Sequence, residues 1–413
     1  MSKILQVLQP EYVKKFSCAC GECEDICCRG WKVSIDKTTF QLYRNVSEPK
    51  LKQIIKKAVN RNRSGAGELE YAKIRMNEKN ECPLLDEEKL CSLQRAKGEK
   101  YLSLVCATYP RMYNVVDNRL EKSLTLSCPE AARFALLDPS LMVFELSAED
   151  ANARKQMQRA LVTEEKNQEV KNLPEKYFSQ IRTFVISLLQ TRSYPLWQRL
   201  IILGLFSQHL KNLIEGNKSA EILPLIATYL EQLKTGVLKD SLERIPSDKV
   251  SVQVEVIRLI IENRGKFGND VRFKECLDNA LAGFNYSPEL SRDEVTANYE
   301  ASYKTYYQPL MKEYILENYL VNYVFSTLFP FTNKRDVFAN YIILIIHYAT
   351  IKMLCIGTAG FYKEKFNTGQ IVTVIQTLTK IFTHDDKFIG IVIDFLKRDQ
   401  LDNMAYMSVL IKN

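Results

Sequence analysis

The cysteines of this chain lie almost entirely in its first third. Nine of the eleven cysteines fall between Cys18 and Cys128, and only Cys276 and Cys355 lie beyond them. The opening Met1–Pro10 has neither the apolar run nor the small-residue cleavage site of a secretory signal, so we expect a cytoplasmic protein. A reducing cytoplasm keeps thiols free, and a dense group of thiols there indicates a metal rather than disulfides.

The spacing of the first cysteines suits a metal centre but leaves the metal open. In Cys18-x4-Cys23-x3-Cys27-Cys28 a few turn residues separate the thiolates, so they can converge with little loss of loop entropy. Thiolates are soft ligands that suit zinc or iron–sulfur clusters. Structural zinc sites use paired C-x2-C knuckles, and here only Cys20 and Cys23 have that spacing, whereas iron–sulfur clusters tolerate looser spacing. We therefore favour iron–sulfur chemistry, in one cluster or two, over zinc or a redox dithiol.

Composition and motifs exclude several classes of protein. The net charge of the 413 residues is +8, too small for the basic footprint of a nucleic-acid-binding protein. The most membrane-like stretch, from Val337 to Cys355, contains Asn340, His347 and Lys352, which are costly at bilayer depth, so we predict a buried helix and no membrane association. The three histidines are scattered, and no metalloprotease, Ser/His/Asp or Walker pattern occurs. Hydrolase and NTPase functions have no support in the sequence.

Hydrophobic periodicity predicts a mainly α protein in two parts. Residues 1–147 show short apolar pieces between turns, which predicts a Cys-rich, loop-rich metal-binding module. A polar stretch follows, and residues 174–413 show the 3.6-residue period of an all-helical domain for substrate binding or scaffolding. Ser291-Arg-Asp-Glu294 is a capping box that predicts a helix start, and Pro309 should end or kink that helix. Other helical patterns run from Phe178 to Leu188, Trp197 to Leu213, Ile222 to Leu233, Val252 to Ile261, Met311 to Phe329, Val337 to Leu354, Ile371 to Phe382 and Phe388 to Leu396.

Two further patterns have both a structural and a functional interpretation. The segment Pro49–Arg63 carries six cations around an apolar helical stripe, which indicates a solvated face or a docking site for an acidic protein surface or cofactor. In the capped helix and just beyond it, aromatic side chains and one leucine recur at three- or four-residue spacing. They indicate packing against a neighbouring helix or a groove for a polypeptide segment. These residues are Tyr299, Tyr303, Tyr306, Leu310 and Tyr314.

Four ordered blocks in the first third together resemble the flagellin lysine-N-methylase family. The blocks are Phe16–Trp31 with the adjacent Cys27 and Cys28, Cys82-Pro-Leu-Leu-Asp-Glu with Cys91, Leu102–Arg111 with Cys106, and Leu126–Arg133 with Cys128. Their order makes them far more specific than a single C-x2-C motif, and no motif follows Arg133.

The resemblance implies a protein-lysine N-methyltransferase that methylates flagellin of the bacterial flagellum, using S-adenosylmethionine and a Cys-ligated [4Fe-4S] cluster. The family blocks supply eight metal-ligand candidates and leave Cys20 out. The candidates are Cys18, Cys23, Cys27, Cys28, Cys82, Cys91, Cys106 and Cys128. The C-x3-C-x2-C order of radical enzymes and the G-x-G-x-x-G loop of Rossmann methyltransferases are both missing, so no motif locates the cofactor pocket.

Polar residues in or beside the blocks are the catalytic candidates. They are Asp36, Tyr109, Arg111 and Glu130, and the alternative for each is a structural hydrogen bond to a sulfur or a loop backbone. A substrate lysine must lose its proton, which costs about 5 kcal/mol at pH 7. An apolar channel or a nearby cation lowers that cost.

A different class of function is also compatible with these residues. It is a non-enzymatic zinc- or iron-chelating or redox-sensing module joined to a helical protein-interaction domain. Metal content separates the two hypotheses, because stoichiometric zinc without iron favours the second.

Overall fold

The protein divides into two compact units. The computed structural model describes residues 4–31, 33–63, 67–163, 173–245, 255, 258–259, 261, 270–310, 312–332, 336–384 and 386–412. The first unit comprises residues 1–115, 119–134 and 144–158, and the second comprises 116–118, 135–143 and 159–413. The domain limits predicted from the sequence, residues 1–147 and 174–413, stay a prediction.

The N-terminal part contains short helices and eight strands among its described residues. The strands are β1 (Ile4–Pro10), β2 (Ser34–Ile35), β3 (Val59–Arg61), β4 (Ala72–Ile74), β5 (Arg111–Val116), β6 (Arg119–Leu124), β7 (Phe144–Asp150) and β8 (Met157–Leu161). The helices are α1 (Tyr12–Lys15), α2 (Lys37–Arg44), α3 (Pro49–Ala58), α4 (Ser92–Lys97), α5 (Leu104–Thr108) and α6 (Pro129–Leu136).

The strands form a mixed five-stranded sheet and a small antiparallel sheet. The larger sheet has the order β7-β1-β6-β5-β8, and the smaller one has the order β2-β4-β3. Strand β1 pairs in parallel with β6, where Val7 faces Leu120, and antiparallel with β7, where Val7 faces Ser147. The ladder thus joins the start of the chain to residues more than 100 positions away.

The prediction of a loop-rich N-terminal part was wrong, because its strands form two sheets. The missed signal is the two-residue turn Asp117-Asn118 between β5 and β6, in which Asp117 has a φ of 55°. Such short Asp- or Asn-containing turns are typical of hairpins. The central strand β1 had no comparable local signal, because its partners lie far along the sequence.

Helix α3 confirms part of the predicted basic segment. Pro49 occupies the first turn, where its missing N–H has no intrahelical partner to lose. Leu51, Ile55 and Ala58 are buried, and the lysines face outward. The helix ends at Ala58, and the remaining cations Arg61 and Arg63 lie in or after strand β3.

The second unit is helical, as the periodicity predicts. Its helices are α7 (Phe178–Leu189), α8 (Leu196–Glu215), α9 (Ile222–Thr235), α10 (Lys239–Glu243), α11 (Val271–Gly283), α12 (Arg292–Leu310), α13 (Glu313–Thr327), α14 (Val337–Tyr362), α15 (Thr368–His384), α16 (Asp386–Arg398) and α17 (Met404–Lys412). The predicted helix from Val252 to Ile261 falls mostly outside the described residues, and so does Met311.

The predicted capping box starts α12. The Ser291 amide donates to the Glu294 carboxylate at 2.8 Å, and the Glu294 amide donates back to the Ser291 hydroxyl at 3.3 Å. The helix ends one residue after Pro309, as expected for a residue that cannot continue a helix. Tyr299 is buried against Phe284, with ring centroids 5.4 Å apart, so the packing interpretation of the aromatic stripe holds there.

Helix α14 is the core of the second unit. It is long and apolar enough to cross a bilayer, yet 94% of its most apolar window is buried inside the protein, which confirms the predicted buried helix. Glycines allow α11 to approach it closely, because a Cβ at Gly283 would lie 1.8 Å from the carbonyl oxygen of Gly357. Cys276 and Cys355 are buried in this unit, where a free cysteine packs as a small hydrophobic side chain.

Candidate functional site: a thiol-rich region of the N-terminal unit

Four of the eight candidate ligands pack around one hydrophobic cluster of the N-terminal unit. Buried Cys82 belongs to this cluster, and half-buried Cys28, Cys91 and Cys106 pack against it. We call these four residues the inner thiol set. The Cys82 amide donates to the Cys28 carbonyl at 2.8 Å, so two blocks that are distant in sequence meet directly.

Local backbone structure positions the other two inner thiols. Cys91 precedes α4 and pairs with Leu85 in an isolated β-bridge. Cys106 lies in α5, whose N-cap Ser103 accepts a hydrogen bond from the Cys106 amide at 3.3 Å. A short loop before α4 and the helix α5 thus hold these two side chains against the same cluster.

The remaining four candidates form a second, more exposed group. Cys18 and Cys27 are exposed, Cys23 is half-buried and Cys128 is buried. We call these four residues the outer thiol set. Cys128 immediately precedes α6, and ion pairs on the surface connect that helix to the cysteine loop.

Those ion pairs centre on an arginine that the sequence analysis did not single out. Arg133 in α6 contacts the carboxylates of both Glu24 and Glu130. Glu24 directly follows Cys23, and Glu130 follows Cys128 by two residues. Arg133 therefore holds together the two chain segments that carry the outer thiols.

Burial and neighbouring charges suppress ionisation in the inner set. Burial, followed by the charges of Cys91 and Cys27, raises the pKa of Cys82 to about 11. The same kinds of cause, with Cys27, Cys82 and Cys91 as neighbours, raise the pKa of Cys106 to about 12. A hydrogen bond with the Cys27 side chain, and then burial, raises the pKa of Cys28. These thiols therefore lie within electrostatic reach of one another.

The outer set shows the same behaviour, and Cys27 is a neighbour of thiols in both sets. Burial first, and the charges of Cys23 and Cys18 after it, raise the pKa of Cys128 to about 12. Burial is also the largest cause that raises the pKa of Cys23 to about 11, and Cys27 contributes. Thiols that repel one another once ionised are stable as thiolates only beside a cation, because the cation reverses the sign of the local field.

The thiols are near one another but not closed around a single ion. All eleven cysteines are free, so disulfide pairs do not account for their proximity. Within the described ranges, no three His, Cys, Asp or Glu side chains are arranged to hold one metal ion. The metal-binding role of the module therefore stays a prediction.

Tyr109 lies beside the outer thiols. Its ring packs on Trp31 with centroids 5.5 Å apart, and its hydroxyl lies 3.1 Å from that of Ser127. Loss of hydration, and then the charge of Cys128, raises the pKa of Tyr109 well above 10. The phenol is therefore neutral at pH 7, a hydrogen-bonding group and not a base.

Arg111 and Glu130 have identifiable partners, and their catalytic roles stay predictions. The exposed Arg111 guanidinium lies 5.5 Å from the centre of the Phe16 ring, close to the start of the cysteine loop. Glu130 is paired with Arg133. Arg111 ends the block that carries the inner thiol Cys106, and Glu130 lies in the block that carries the outer thiol Cys128.

Asp36 has a clear structural role. It is the N-cap of α2, where its carboxylate accepts the Thr39 amide at 2.8 Å, and it also accepts the Leu104 amide at 2.9 Å. Burial acts to raise the pKa of Asp36, but these hydrogen bonds and the charge of Arg154, 3.7 Å away, leave it lowered. A carboxylate held in this way is a weak base, and it links α2 to the helix that carries Cys106.

Two clefts open in the N-terminal unit near the inner thiols. The wider one, about 800 Å³, lies beside the Cys82 loop. It is lined by Ile54, Lys57, Ala58, Arg75, Met76, Asn77, Glu78, Lys79, Glu81 and Pro83. The other, about 680 Å³, includes Asp36, Leu104 and Arg154. Arg154 donates to the Leu102 carbonyl at 2.7 Å, and no motif marked it in the sequence.

Comparison with known proteins identifies the class of this chain. Residues 182–410, more than half of the chain, match the family described as FliB lysine N-methylase C-terminal domain. The lysine-N-methylases of Salmonella typhimurium and Salmonella choleraesuis are each 27% identical over 368 residues, covering 85% of this chain and 86% of theirs. The flagellar biosynthetic protein FliU of Salmonella muenchen is 36% identical over 143 residues, covering 34% of this chain and 82% of that protein. No solved structure matches.

The chain is a protein-lysine N-methyltransferase. It belongs to the FliB lysine N-methylase family, which confirms the resemblance carried by the four cysteine blocks.

Proposed function

We propose that this protein transfers a methyl group from S-adenosylmethionine to lysine side chains of flagellin, and that its N-terminal thiols hold an iron–sulfur centre. The observation that carries the metal clause is the packing of four thiols, from three separate blocks, at one hydrophobic cluster. The flagellin clause is supported by the name of the FliU relative, a flagellar biosynthetic protein.

The donor set suits a cluster better than a single ion. Around zinc, with sulfurs about 2.3 Å from the metal, four thiolates nearly touch one another. Around a cluster of irons and sulfides they stand further apart, because the cluster occupies the space between them. The thiols here influence one another's ionisation, yet no three of the described ones are arranged around one ion. When bound, such a centre supplies either an open iron that orients the methyl donor or an electron for radical transfer.

The chain's own residues suit direct transfer to a neutral amine. Tyr109 stays protonated and can position the substrate through its hydroxyl, and Asp36 is engaged at a helix N-terminus. The substrate amine must therefore lose its proton by other means. The Arg111 cation disfavours the ammonium form of a lysine that enters beside it, because like charges repel.

The cleft beside the Cys82 loop is our candidate for the methyl donor. Ile54, Ala58 and Met76 offer apolar surface for a purine, while Lys57 and Glu81 offer charges for the carboxylate and amine of the methionyl group. Lys57 belongs to the basic segment for which the sequence left a cofactor-docking interpretation open.

The test is methylation of flagellin co-expressed with the enzyme. Peptide mass spectrometry should show mass increments of one methyl group on lysines with the intact chain, and none with Cys27→Ser. Cys20→Ser is the matched control, because Cys20 lies in the same loop but outside the ligand set. Unmodified flagellin with the intact chain would refute the substrate assignment.

A second experiment tests the methyl donor separately. Purified enzyme supplied with S-adenosylmethionine bearing a trideuterated methyl group should deliver that group intact to lysine if transfer is direct. Loss of deuterium would indicate radical chemistry, and lysines without any label would exclude this donor. Stoichiometric zinc without iron in anaerobically purified protein would favour the chelating-module alternative.

A further inference from the structure

Helix α3 carries a group of lysines on its exposed side that no neighbouring carboxylate neutralises. Lys50, Lys52, Lys56 and Lys57 are all exposed. Within the part of the chain that the structure describes, no ion pair joins any of them to an acidic side chain. The sequence from Pro49 to Arg75 has eight cations and two carboxylates, a net charge of +6, so the rest of the chain is nearly balanced.

The stability of α3 does not account for this pattern of lysines. Lys56 and Lys57 suit the last turn, but Lys50 and Lys52 lie near the start, where the positive end of the helix dipole disfavours cations. Lys52 and Lys56 also repel each other, because they are four positions apart on one side of the helix. Glu48 at the N-cap does not compensate them, since its side chain makes no capping hydrogen bond and is paired with a lysine of α4. The pattern therefore favours a role in binding.

The position of α3 places these lysines beside the candidate site. Its buried residues Leu51 and Ile55 belong to the hydrophobic cluster on which the inner thiol set packs. Ile54 and Lys57 line the cleft of about 800 Å³ that we assign to the methyl donor. A partner bound on the exposed side of α3 would therefore lie next to that cleft.

The cleft extends the positive charge of the helix. Arg75 and Lys79 line it together with Lys57, and the carboxylates of Glu78 and Glu81 also line it. Glu81 is already engaged in an ion pair with an arginine. The remaining cations outnumber the remaining carboxylate.

We propose that the exposed side of α3 is a docking surface for an acidic segment of the protein substrate. We call Lys50, Lys52 and Lys56, which do not line the cleft, the docking lysines. The inference rests on the proposed function and deepens it, because it concerns how the protein substrate is held beside the candidate site. Carboxylates near the target lysine would contact the docking lysines, whereas lysine-rich stretches would be repelled.

An acidic polypeptide suits this surface better than a membrane or a nucleic acid does. The apolar side of α3 is buried, so it cannot enter a bilayer as the apolar face of an interfacial helix does. The helix has no aromatic side chain on which a base could stack. A protein-lysine methyltransferase must in any case hold a polypeptide.

The test is the binding of fluorescein-labelled peptides to the full chain, measured by fluorescence anisotropy without a methyl donor. Two peptides have one central lysine and differ only in the residues around it, which are glutamates in one and glutamines in the other. We expect the glutamate peptide to bind more tightly, and its advantage to shrink as salt is added, because salt screens exposed charges. Equal binding of the two peptides would overturn the inference.

A variant without the docking lysines tests the place of binding. It combines Lys50→Gln, Lys52→Gln and Lys56→Gln. We expect about tenfold weaker binding of the glutamate peptide and unchanged binding of the glutamine peptide, because each exposed pair contributes modestly. Far-UV circular dichroism verifies that the variant keeps its helices.

The matched control removes the same charge from exposed lysines of the second unit. It combines Lys218→Gln, Lys234→Gln and Lys365→Gln. The control should bind the glutamate peptide as the wild type does. An equal loss in the control would show an effect of net charge alone and would overturn the assignment to α3.

Methylation of flagellin separates this inference from the proposed function. If the docking lysines were needed for binding the glutamate peptide but flagellin stayed unmodified, the docking surface would stand and the flagellin substrate would be refuted. If flagellin were methylated but the two peptides bound equally, only the docking surface would be refuted. A labelled single-stranded RNA that required the docking lysines, with no preference for the glutamate peptide, would assign this surface to nucleic acid and overturn the inference.

Discussion

The buried lysine in the core helix of the second unit should make stability depend on pH. Lys352 is 1% exposed, and its amine donates to the Ile411 carbonyl at 2.9 Å. The Tyr303 and Tyr348 rings lie 5.5 and 5.4 Å from the amine. Burial nevertheless lowers the pKa of Lys352 from 10.5 to about 7.

The sign follows from proton binding in the two states. Between pH 7 and 10.5 the unfolded chain binds this proton and the folded chain does not, so stability rises with pH across that window. At about 1.4 kcal/mol per pH unit, the full window corresponds to about 5 kcal/mol. Between pH 7.5 and 9.5 we expect this lysine to raise the free energy of unfolding by about 2–3 kcal/mol.

The change to make is Lys352→Met, which keeps the length of the side chain and removes its charge. Urea unfolding of both proteins, followed by far-UV circular dichroism at constant ionic strength, gives the free energy of unfolding at each pH. We expect the variant to be the more stable protein below pH 7. Between pH 7.5 and 9.5 its free energy of unfolding should lack the increase that Lys352 gives the wild type. Lys365→Met is the matched control, because that lysine is exposed. If wild type and Lys352→Met gave parallel pH profiles, the burial argument would be wrong.

Three further changes test the packing and the capping. Gly283→Ala should lower the free energy of unfolding by about 1–3 kcal/mol or more, because the new Cβ meets the Gly357 carbonyl; unchanged urea unfolding would contradict the close approach. Glu317→Gln removes the buried carboxylate that Arg199 contacts at 2.7 Å, and should cost about 3–5 kcal/mol in the same assay, whereas a cost below 1 kcal/mol would show that the pair is well hydrated. Asp36→Ala should cost about 1 kcal/mol through loss of the helix cap while retaining lysine methylation; loss of methylation in a folded variant would assign Asp36 a catalytic role.

Much of the helical unit could be predicted from the sequence, because helical signals are local. The capping box at Ser291 and Glu294 and the apolar period of α14 lie within a few turns of chain. The sequence analysis assigned no helix to Val271–Gly283 or to Met404–Lys412, and the structure shows one in each segment. The first has a local start signal in Asp270, whose side chain accepts the Phe273 amide, whereas the approach of Gly283 to α14 joins residues that are distant in sequence.

The N-terminal part was predicted less well, because its structure depends on distant pairing. Strand β1 pairs with strands near residues 120 and 147, and the Asp36 carboxylate accepts a hydrogen bond from the Leu104 amide. A residue chosen as a catalytic candidate for its place beside a cysteine block thus has a structural role that only its folded neighbours reveal.

The sequence by itself determined the kind of chemistry available to this protein. Its features are thiols at short spacing, few histidines, a helical period and four ordered blocks that mark its family. Tertiary structure decided which thiols lie near one another, which carboxylate caps a helix and which lysine loses its hydration. The physical reason is that side-chain type and spacing act over a few residues, whereas burial and charge interactions act through space between residues far apart in sequence.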